Sequence, residues 1–197
     1  IGESKDLALT EDAAIPHYAR LATAVHRHGA KIFGQLSHSG RVTRRMMNGM
    51  RGGDWAPSSV PENRFHTLPA EMVAEIIEAA GEGARRYAEA GYDGVELMAS
   101  HGLLFAQFLN PAVNLREDLY GGSAENRLRP LREALIQARR AVGEGVVLGL
   151  RISADEDSEG GLDAAQVLAV CRQLSEEGLV DYINTTMGSM AEPGASI

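Results

Sequence analysis

The stretch that decides the fold is residues 90–129, AGYDGVELMASHGLLFAQFLNPAVNLREDLYGGSAENRLR. A Gly-Tyr-Asp-Gly turn leads into an apolar run at 94–98, which is typical of a strand buried on both faces of a parallel sheet. His101 follows shortly after this run. In an α/β barrel the loops after the strands meet at one rim and carry the chemistry, so His101 is the first candidate functional residue.

Strand and helix patterns alternate along the rest of the chain. The predicted elements are helices over 10–28, 69–90, 123–143 and 163–177, and strands over 31–36, 94–98, 146–153 and 181–186. Alternation without a hairpin signal is typical of βα units around a parallel sheet. A closed (β/α)8 TIM barrel needs eight strands and typically ~250 residues, so these units amount to about half a barrel.

Local signals predict several helix ends and one buried face. Ser123 is a predicted N-cap, and Asp163 followed by Gln166 is the pattern of a capping box. The inward stripe of the second helix is predicted to consist of Met72, Ile76, Ala80, Gly83 and Tyr87.

Three segments lack a helical or strand period and are predicted to be loops. Residues 37–68 form a long segment of the kind that often serves as a lid or substrate loop. Residues 99–122 are predicted to be a polar loop at the rim, and 155–161 a solvated acidic loop.

The composition of the chain argues against several classes of partner and site. The 197 residues carry a formal net charge of −8, which argues against nucleic acid as a partner because phosphate binding needs a basic surface. No apolar run approaches the ~18 residues of a membrane span and the start lacks a signal-peptide layout, so we expect no membrane partner and a cytoplasmic location. Cys171 is the only cysteine, which excludes an internal disulfide and a four-thiolate iron–sulfur site within this chain. The histidines lack metal-ligand spacing, so no metal site is predicted.

Three motifs carry a family resemblance. They are residues 90–129, the segment GAKIFGQLSHSGR at 29–41 and the segment VVLGLRIS at 146–153. In this order they resemble the Old Yellow Enzyme family of FMN-dependent NADH:flavin oxidoreductases. The resemblance is nearest to the branch that holds 2,4-dienoyl-CoA reductase, trimethylamine dehydrogenase and N-demethylating flavoproteins.

The resemblance implies a TIM-barrel domain that binds FMN, in which residues 1–197 supply about the third to sixth strands. It implies hydride transfer through the flavin, a small-molecule substrate, and NADH or NADPH as a reductant. An iron–sulfur cluster is implied only for a longer parent chain, and we expect this sequence, which begins at Ile1, to be a piece of one. A homo-oligomer or an electron-transfer partner is left open.

The resemblance also assigns cofactor-binding residues. Gln35 corresponds to a glutamine whose amide hydrogen-bonds the pyrimidine edge of the flavin. Arg151 corresponds to an arginine that faces N1 and O2 of the flavin, where a positive charge stabilises the reduced anion. The residues alone leave other roles open, namely a loop contact for Gln35 and an ion pair between Arg151 and Glu96. His38 and Arg41 are predicted to be structural, either orienting their loop or neutralising an acidic neighbour, and a direct flavin contact is a less favoured alternative for His38.

Substrate-binding residues follow from the same comparison. His101 corresponds to the second member of a His-x-x-His or His-x-x-Asn pair that holds the substrate over the flavin, and it is the predicted catalytic residue. The first member is replaced by Met98, which cannot donate a hydrogen bond. The tyrosine that protonates the substrate in ene-reducing relatives corresponds to Leu103.

These two replacements favour oxidative N-demethylation of a methylated amine or amino acid, because that reaction needs no proton donor at the α-carbon. Met98 would then pack against the methyl groups. Reduction of an activated C=C bond remains an alternative. A second alternative is a non-catalytic half-barrel fragment that associates through open sheet edges, and a third is a flavin-free barrel enzyme acting on phosphorylated metabolites.

Overall fold

The computed structural model describes residues 9–42, 55–59, 65–156 and 159–188. Its helices are α1 (Ile15–His26), α2 (Ala70–Glu89), α3 (Leu104–Leu109), α4 (Ala124–Val142) and α5 (Ala164–Glu176), with 3-10 turns at Asp12–Ala14 and Gly40–Val42. Its strands are β1 (Phe33–Leu36), β2 (Trp55–Ala56), β3 (His66–Thr67), β4 (Gly94–Ala99), β5 (Val147–Asp155) and β6 (Tyr182–Met187). Arginines 44, 45 and 51 of the predicted substrate loop lie outside the described residues.

The four long strands form one parallel sheet in the order β1-β4-β5-β6. Each of these strands pairs in parallel with the strand beside it in this order, as in one arc of a TIM barrel. The predicted half barrel of four βα units is therefore confirmed. The described parts of the predicted long loop at 37–68 are not wholly irregular. They contain the 3-10 turn at Gly40–Val42, and Trp55–Ala56 pairs in parallel with His66–Thr67.

The two faces of the sheet differ in chemistry because side chains alternate along a strand. One face carries Val95, Leu97, Leu148, Leu150 and Ile152, all buried under the helices in the main hydrophobic core. The opposite face carries mostly polar residues and corresponds to the barrel interior. The helical layer thus stabilises the sheet and leaves the inner face to function.

The buried stripe of α2 is offset from the predicted one. Val73, Ile77 and Ala84 are buried, whereas Met72, Ile76 and Ala80 are only half-buried; the predicted Gly83 and Tyr87 are buried. The offset arises because α2 packs against α4 as well as against the sheet. A Cβ at Gly81 would lie 3.0 Å from Cβ of Gln137 on α4.

The segment 99–122 contains a helix where a rim loop was predicted. Every residue of α3 is buried. Gln107, inside this helix, donates from Nε2 to the carbonyl oxygens of Gly102 (2.7 Å) and Ser39 (3.2 Å). The prediction was wrong because a buried turn of helix this short has no amphipathic period to reveal it.

The predicted caps are confirmed. Ser123 accepts a hydrogen bond from the backbone N–H of Asn126 at 3.1 Å. Asp163 and Gln166 form the reciprocal capping box at the start of α5. These contacts satisfy backbone donors that the helices leave free.

Two aspartates join neighbouring strands at the amino-terminal end of the sheet. Asp93, before β4, accepts hydrogen bonds from the backbone N–H of Ile32 (2.9 Å) and from Lys31 Nζ (2.7 Å). Asp181, before β6, accepts one from the backbone N–H of Leu148 at 2.7 Å. Each carboxylate therefore ties the start of its own strand to the start of the neighbouring strand. This end of a barrel serves stability.

We expect Asp93→Asn to destabilise the fold near neutral pH. The hydrogen bonds from Lys31, the Ile32 N–H and His26 hold the pKa of the Asp93 carboxyl well below its usual range. Its contribution is therefore complete above the unfolded pKa near 3.9 and is lost as pH falls through the lower folded value. Urea unfolding from pH 7 toward about pH 3 should show the difference from wild type shrinking.

Glu144→Gln is the control, because Glu144 is an exposed loop acid. It should change the free energy of unfolding little at any pH. An equal deficit for Asp93→Asn at both ends of the pH range would contradict the role given to its carboxylate.

Candidate functional site

The strand register lines up inner-face residues in layers. Gln35, Glu96, Gly149 and Tyr182 are paired across the four strands. Met98, Arg151 and Asn184 are paired one layer nearer the carboxyl ends of β4, β5 and β6. Because paired residues of parallel strands face the same side, the predicted residues Gln35, Met98 and Arg151 share one face.

Glu96 is the centre of the first layer. It is 7% exposed and accepts hydrogen bonds at both carboxylate oxygens. Gln35 donates from Nε2 to Oε1 at 2.6 Å. Tyr182 donates from its hydroxyl to Oε2 at 2.9 Å, and Asn184 donates from Nδ2 to the same oxygen at 3.2 Å. The carboxylate is therefore satisfied by three uncharged donors.

Arg151 lies half-buried in the second layer. Its Nε is buried and has no hydrogen-bond partner, and no ion pair of Arg151 is found within the described segments. The ion pair with Glu96, which the sequence left open, does not form. A buried guanidinium nitrogen without an acceptor is costly, so the site fits a ligand that brings an acceptor or a negative charge.

His101 lies at the rim, directly beyond β4. Its φ is 56°, the only positive φ at a described residue other than glycine. Its backbone N–H donates to Ser153 Oγ at 3.1 Å. Its ring nitrogens contact two hydroxyls, with Nδ1 3.0 Å from Ser100 Oγ and Nε2 3.2 Å from Thr186 Oγ1. The left-handed backbone is thus held in place by neighbouring polar groups.

The surroundings of the His101 ring favour its neutral form. Burial, and secondarily the positive charge of Arg151, lower its pKa from the ordinary 6.5. The residue is 6% exposed. A neutral imidazole offers one donor and one acceptor, and both hydroxyl partners can take either role.

Four further residues considered in the sequence lie near the site: Met98, predicted to bind substrate, Leu103, and the predicted loop-orienting residues His38 and Arg41. Met98 is half-buried on the inner face, and Leu103 is buried at the N-cap of α3. His38 accepts the backbone N–H of Gly40 at Nδ1 (3.1 Å), which agrees with its predicted role in orienting a loop. Arg41 donates its backbone N–H to Gln107 Oε1 at 3.2 Å.

Two residues of the predicted acidic loop at 155–161 were misassigned: Asp155 is the half-buried last residue of β5, and Glu156 is buried, whereas residues 157–158 lie outside the described ranges. Glu156 is 3% exposed and accepts hydrogen bonds from Asn110 Nδ2 (2.6 Å) and the backbone N–H of Leu162 (3.1 Å). Burial raises the pKa of its carboxyl. It therefore joins the rim segments after β4 and β5, and the prediction of a solvated loop was wrong at this position.

The sequence reasoning missed the residues that surround the predicted ones. They are Tyr182, Asn184, Ser100, Ser153 and Thr186. A signal for three of them exists, because Tyr182, Asn184 and Thr186 alternate along the last strand. Alternating polar residues on a strand of a parallel barrel indicate an inner face that is used.

The described residues show neither a metal-binding cluster nor a membrane-spanning helix. Among the described residues, no group of three or more His, Cys, Asp or Glu side chains is placed to hold a metal ion. No helix in the described ranges combines the length and apolar character needed to cross a membrane.

The chain is similar in sequence to known proteins of one family. The family described as NADH:flavin oxidoreductase / NADH oxidase matches residues 2–194. N,N-dimethylglycine/sarcosine dehydrogenase of Chromohalobacter salexigens is 40% identical in an alignment of 182 residues that covers 88% of this chain and 26% of that protein. NADPH dehydrogenase of Bacillus velezensis is 36% identical in an alignment of 197 residues that covers 98% of this chain and 56% of that protein.

A solved structure supports the same assignment. A 2-naphthoyl-CoA reductase complex superposes with a TM-score of 0.83 at 30% identity, covering 96% of this chain and 31% of that one. The chain thus spans 26% to 56% of the length of these relatives. With the parallel half barrel and the motifs around Gln35, His101 and Arg151, these similarities show that the chain belongs to the NADH:flavin oxidoreductase / NADH oxidase family, the Old Yellow Enzyme family that its sequence resembles.

Proposed function

We propose that residues 1–197 form about half of an FMN-binding barrel domain in a redox enzyme. Gln35 and Arg151 bind the polar edge of the flavin, and Met98 and His101 face the substrate. The observation that carries this proposal is the buried Arg151 Nε, which has no hydrogen-bond partner among the described residues. A flavin edge that gains negative charge on reduction supplies the missing acceptor.

Gln35 has the bonding capacity that this role needs. Its Nε2 donates one proton to Glu96, and the side chain is exposed on the inner face. The second amide proton and the carbonyl oxygen remain for a ligand that offers an acceptor and a donor side by side. The hydrogen bond to Glu96 fixes the orientation of the Gln35 amide, so that a ligand acceptor meets Nε2 and a ligand donor meets Oε1.

The first experiment is an absorbance scan of the purified protein, expressed as its full gene product, with release and identification of any flavin. We expect FMN at close to one per chain. Arg151→Met should raise the dissociation constant for FMN at least about tenfold, because a charge-assisted hydrogen bond contributes about 1.5–3 kcal/mol. Fluorescence titration of the apoprotein measures this constant.

Arg132→Met is the matched control, since Arg132 lies on α4 and pairs with Glu177. It should bind FMN as wild type does. A wild-type protein that holds no flavin after reconstitution would contradict the proposal and favour the non-catalytic half barrel. The exposure of Phe33 and Met187 on the two outer strands would then mark edges for association.

The reaction we propose is oxidative removal of an N-methyl group. Bound FMN would supply the two-electron acceptor. The neutral amine would lose a hydride, that is one proton with two electrons, from its methyl group. Water would add to the resulting iminium, and formaldehyde, the demethylated amine and one proton would leave. Met98 offers an apolar surface to the methyl groups, and Leu103 provides no acid, which this reaction does not need. The similarity to a dimethylglycine/sarcosine dehydrogenase supports this substrate class.

We expect N-methylated amino acids to be oxidised much faster than enones are reduced. Leu103→Tyr should increase enone reduction by about 10² or more, because a placed general acid contributes that much. Steady-state assays of both reactions with NADPH or an artificial electron acceptor measure the ratio. Leu103→Phe is the control for bulk and should leave enone reduction low. Rapid enone turnover by the wild type would contradict demethylation and favour ene reduction.

We propose that His101 holds the substrate while its own imidazole is neutral. Because its pKa is lowered, the loss of kcat/KM that depends on protonation of His101 should have its midpoint below the ordinary imidazole value of 6.5. His101→Leu should reduce kcat/KM by about 10²-fold at pH 7.5. His17→Gln, at an exposed site on α1, should match wild type. A decline that begins above pH 7 and persists in His101→Leu would assign the titration to another group.

A further inference from the structure

Glu96 and Arg151 are oppositely charged neighbours that do not pair. Their strands β4 and β5 are adjacent, and the two residues lie on the same face two positions apart. Strand spacing and rise put their Cα atoms about 8 Å apart, which is within reach of an arginine side chain. A half-buried guanidinium beside a buried carboxylate would ordinarily form an ion pair.

The carboxylate is instead occupied by three uncharged donors. Gln35 bonds Oε1, and Tyr182 and Asn184 both bond Oε2. The two donors to Oε2 come from β6, which lies on the far side of β5 from β4. They therefore reach across the strand that carries Arg151.

Gly149 makes this reach feasible. It occupies the β5 position between Glu96 and Tyr182 in the first layer. A Cβ at Gly149 would overlap the ring of Tyr182. The absence of a side chain at this one position therefore lets the phenol cross β5 and meet the carboxylate on β4.

We propose that Tyr182 and Asn184 are positioning residues that hold the Glu96 carboxylate away from Arg151, so that the Arg151 charge stays available to the flavin. This inference rests on the proposed function and deepens it. A carboxylate released from these donors would swing to Arg151 and cancel the charge at the ligand site. Tyr182 and Asn184 thus act through Arg151 and need not touch the ligand.

The test removes both donors to Oε2 in the variant Tyr182→Phe/Asn184→Leu. The crystal structure of its flavin-free form should show a guanidinium nitrogen of Arg151 within about 4 Å of a Glu96 oxygen. The dissociation constant for FMN, measured by fluorescence titration, should rise about tenfold or more, as for loss of the Arg151 charge. If the variant does not fold, Tyr182→Phe alone should show both effects to a smaller degree.

A rescue variant separates this role from general damage to the site. Adding Glu96→Gln to the double variant removes the charge that would capture Arg151 and keeps an acceptor for Gln35. FMN affinity should return to within about threefold of wild type. Tyr87→Phe is the control for a lost buried phenol hydroxyl, since Tyr87 packs in the aromatic cluster on the opposite face. It should leave FMN affinity unchanged.

The outcomes distinguish the positioning role of Tyr182 and Asn184 from the proposed binding of FMN. If Arg151 and Glu96 stay apart in the double variant, or if Glu96→Gln does not restore FMN binding, the positioning role is overturned. If the ion pair forms while the wild type binds no FMN, the positioning role stands and the proposed function fails. The crystal structure of the flavin-free protein keeps the two questions separate.

Discussion

The register between β4 and β5 is the constraint on which the rest of the site depends. Backbone hydrogen bonds pair Glu96 with Gly149 and Met98 with Arg151. A slip of one residue would turn every side chain of a strand to the opposite face, moving Arg151 into the hydrophobic core and Leu150 into the barrel interior. The observed register is therefore favoured over the slipped one, because it keeps Leu150 completely buried under the helices.

This register creates an inner face on which charge is distributed unevenly. Glu96 accepts hydrogen bonds from neutral donors at both oxygens, whereas the buried Nε of Arg151 has no hydrogen-bond partner in the part of the chain that the structure describes. The positive charge therefore acts on its surroundings. One effect is already visible within the chain, since Arg151 contributes to the lowered pKa of His101. A flavin or another electron-rich group at this face would experience the same charge.

The two ends of the sheet divide stability and chemistry between them. At the amino-terminal end, Asp93 and Asp181 tie strand starts together through backbone N–H groups. At the carboxyl-terminal end, His101 adopts an unfavourable backbone conformation supported by Ser153. In an α/β barrel the amino-terminal end of the strands serves stability and the carboxyl-terminal end carries the functional residues.

The sequence by itself determined the four βα units, the caps at Ser123 and Asp163, and the positions of Gln35 and Arg151 along their strands. These features depend on local periodicity and on interactions within a few residues. Tertiary structure alone decided that Glu96 bonds Tyr182 rather than Arg151. It also decided the short buried helix α3, the shift of the α2 stripe toward α4 and the burial of Glu156. Each of these results from contacts between segments that are distant in the chain, and such contacts are set by strand register and packing, which local sequence patterns do not encode.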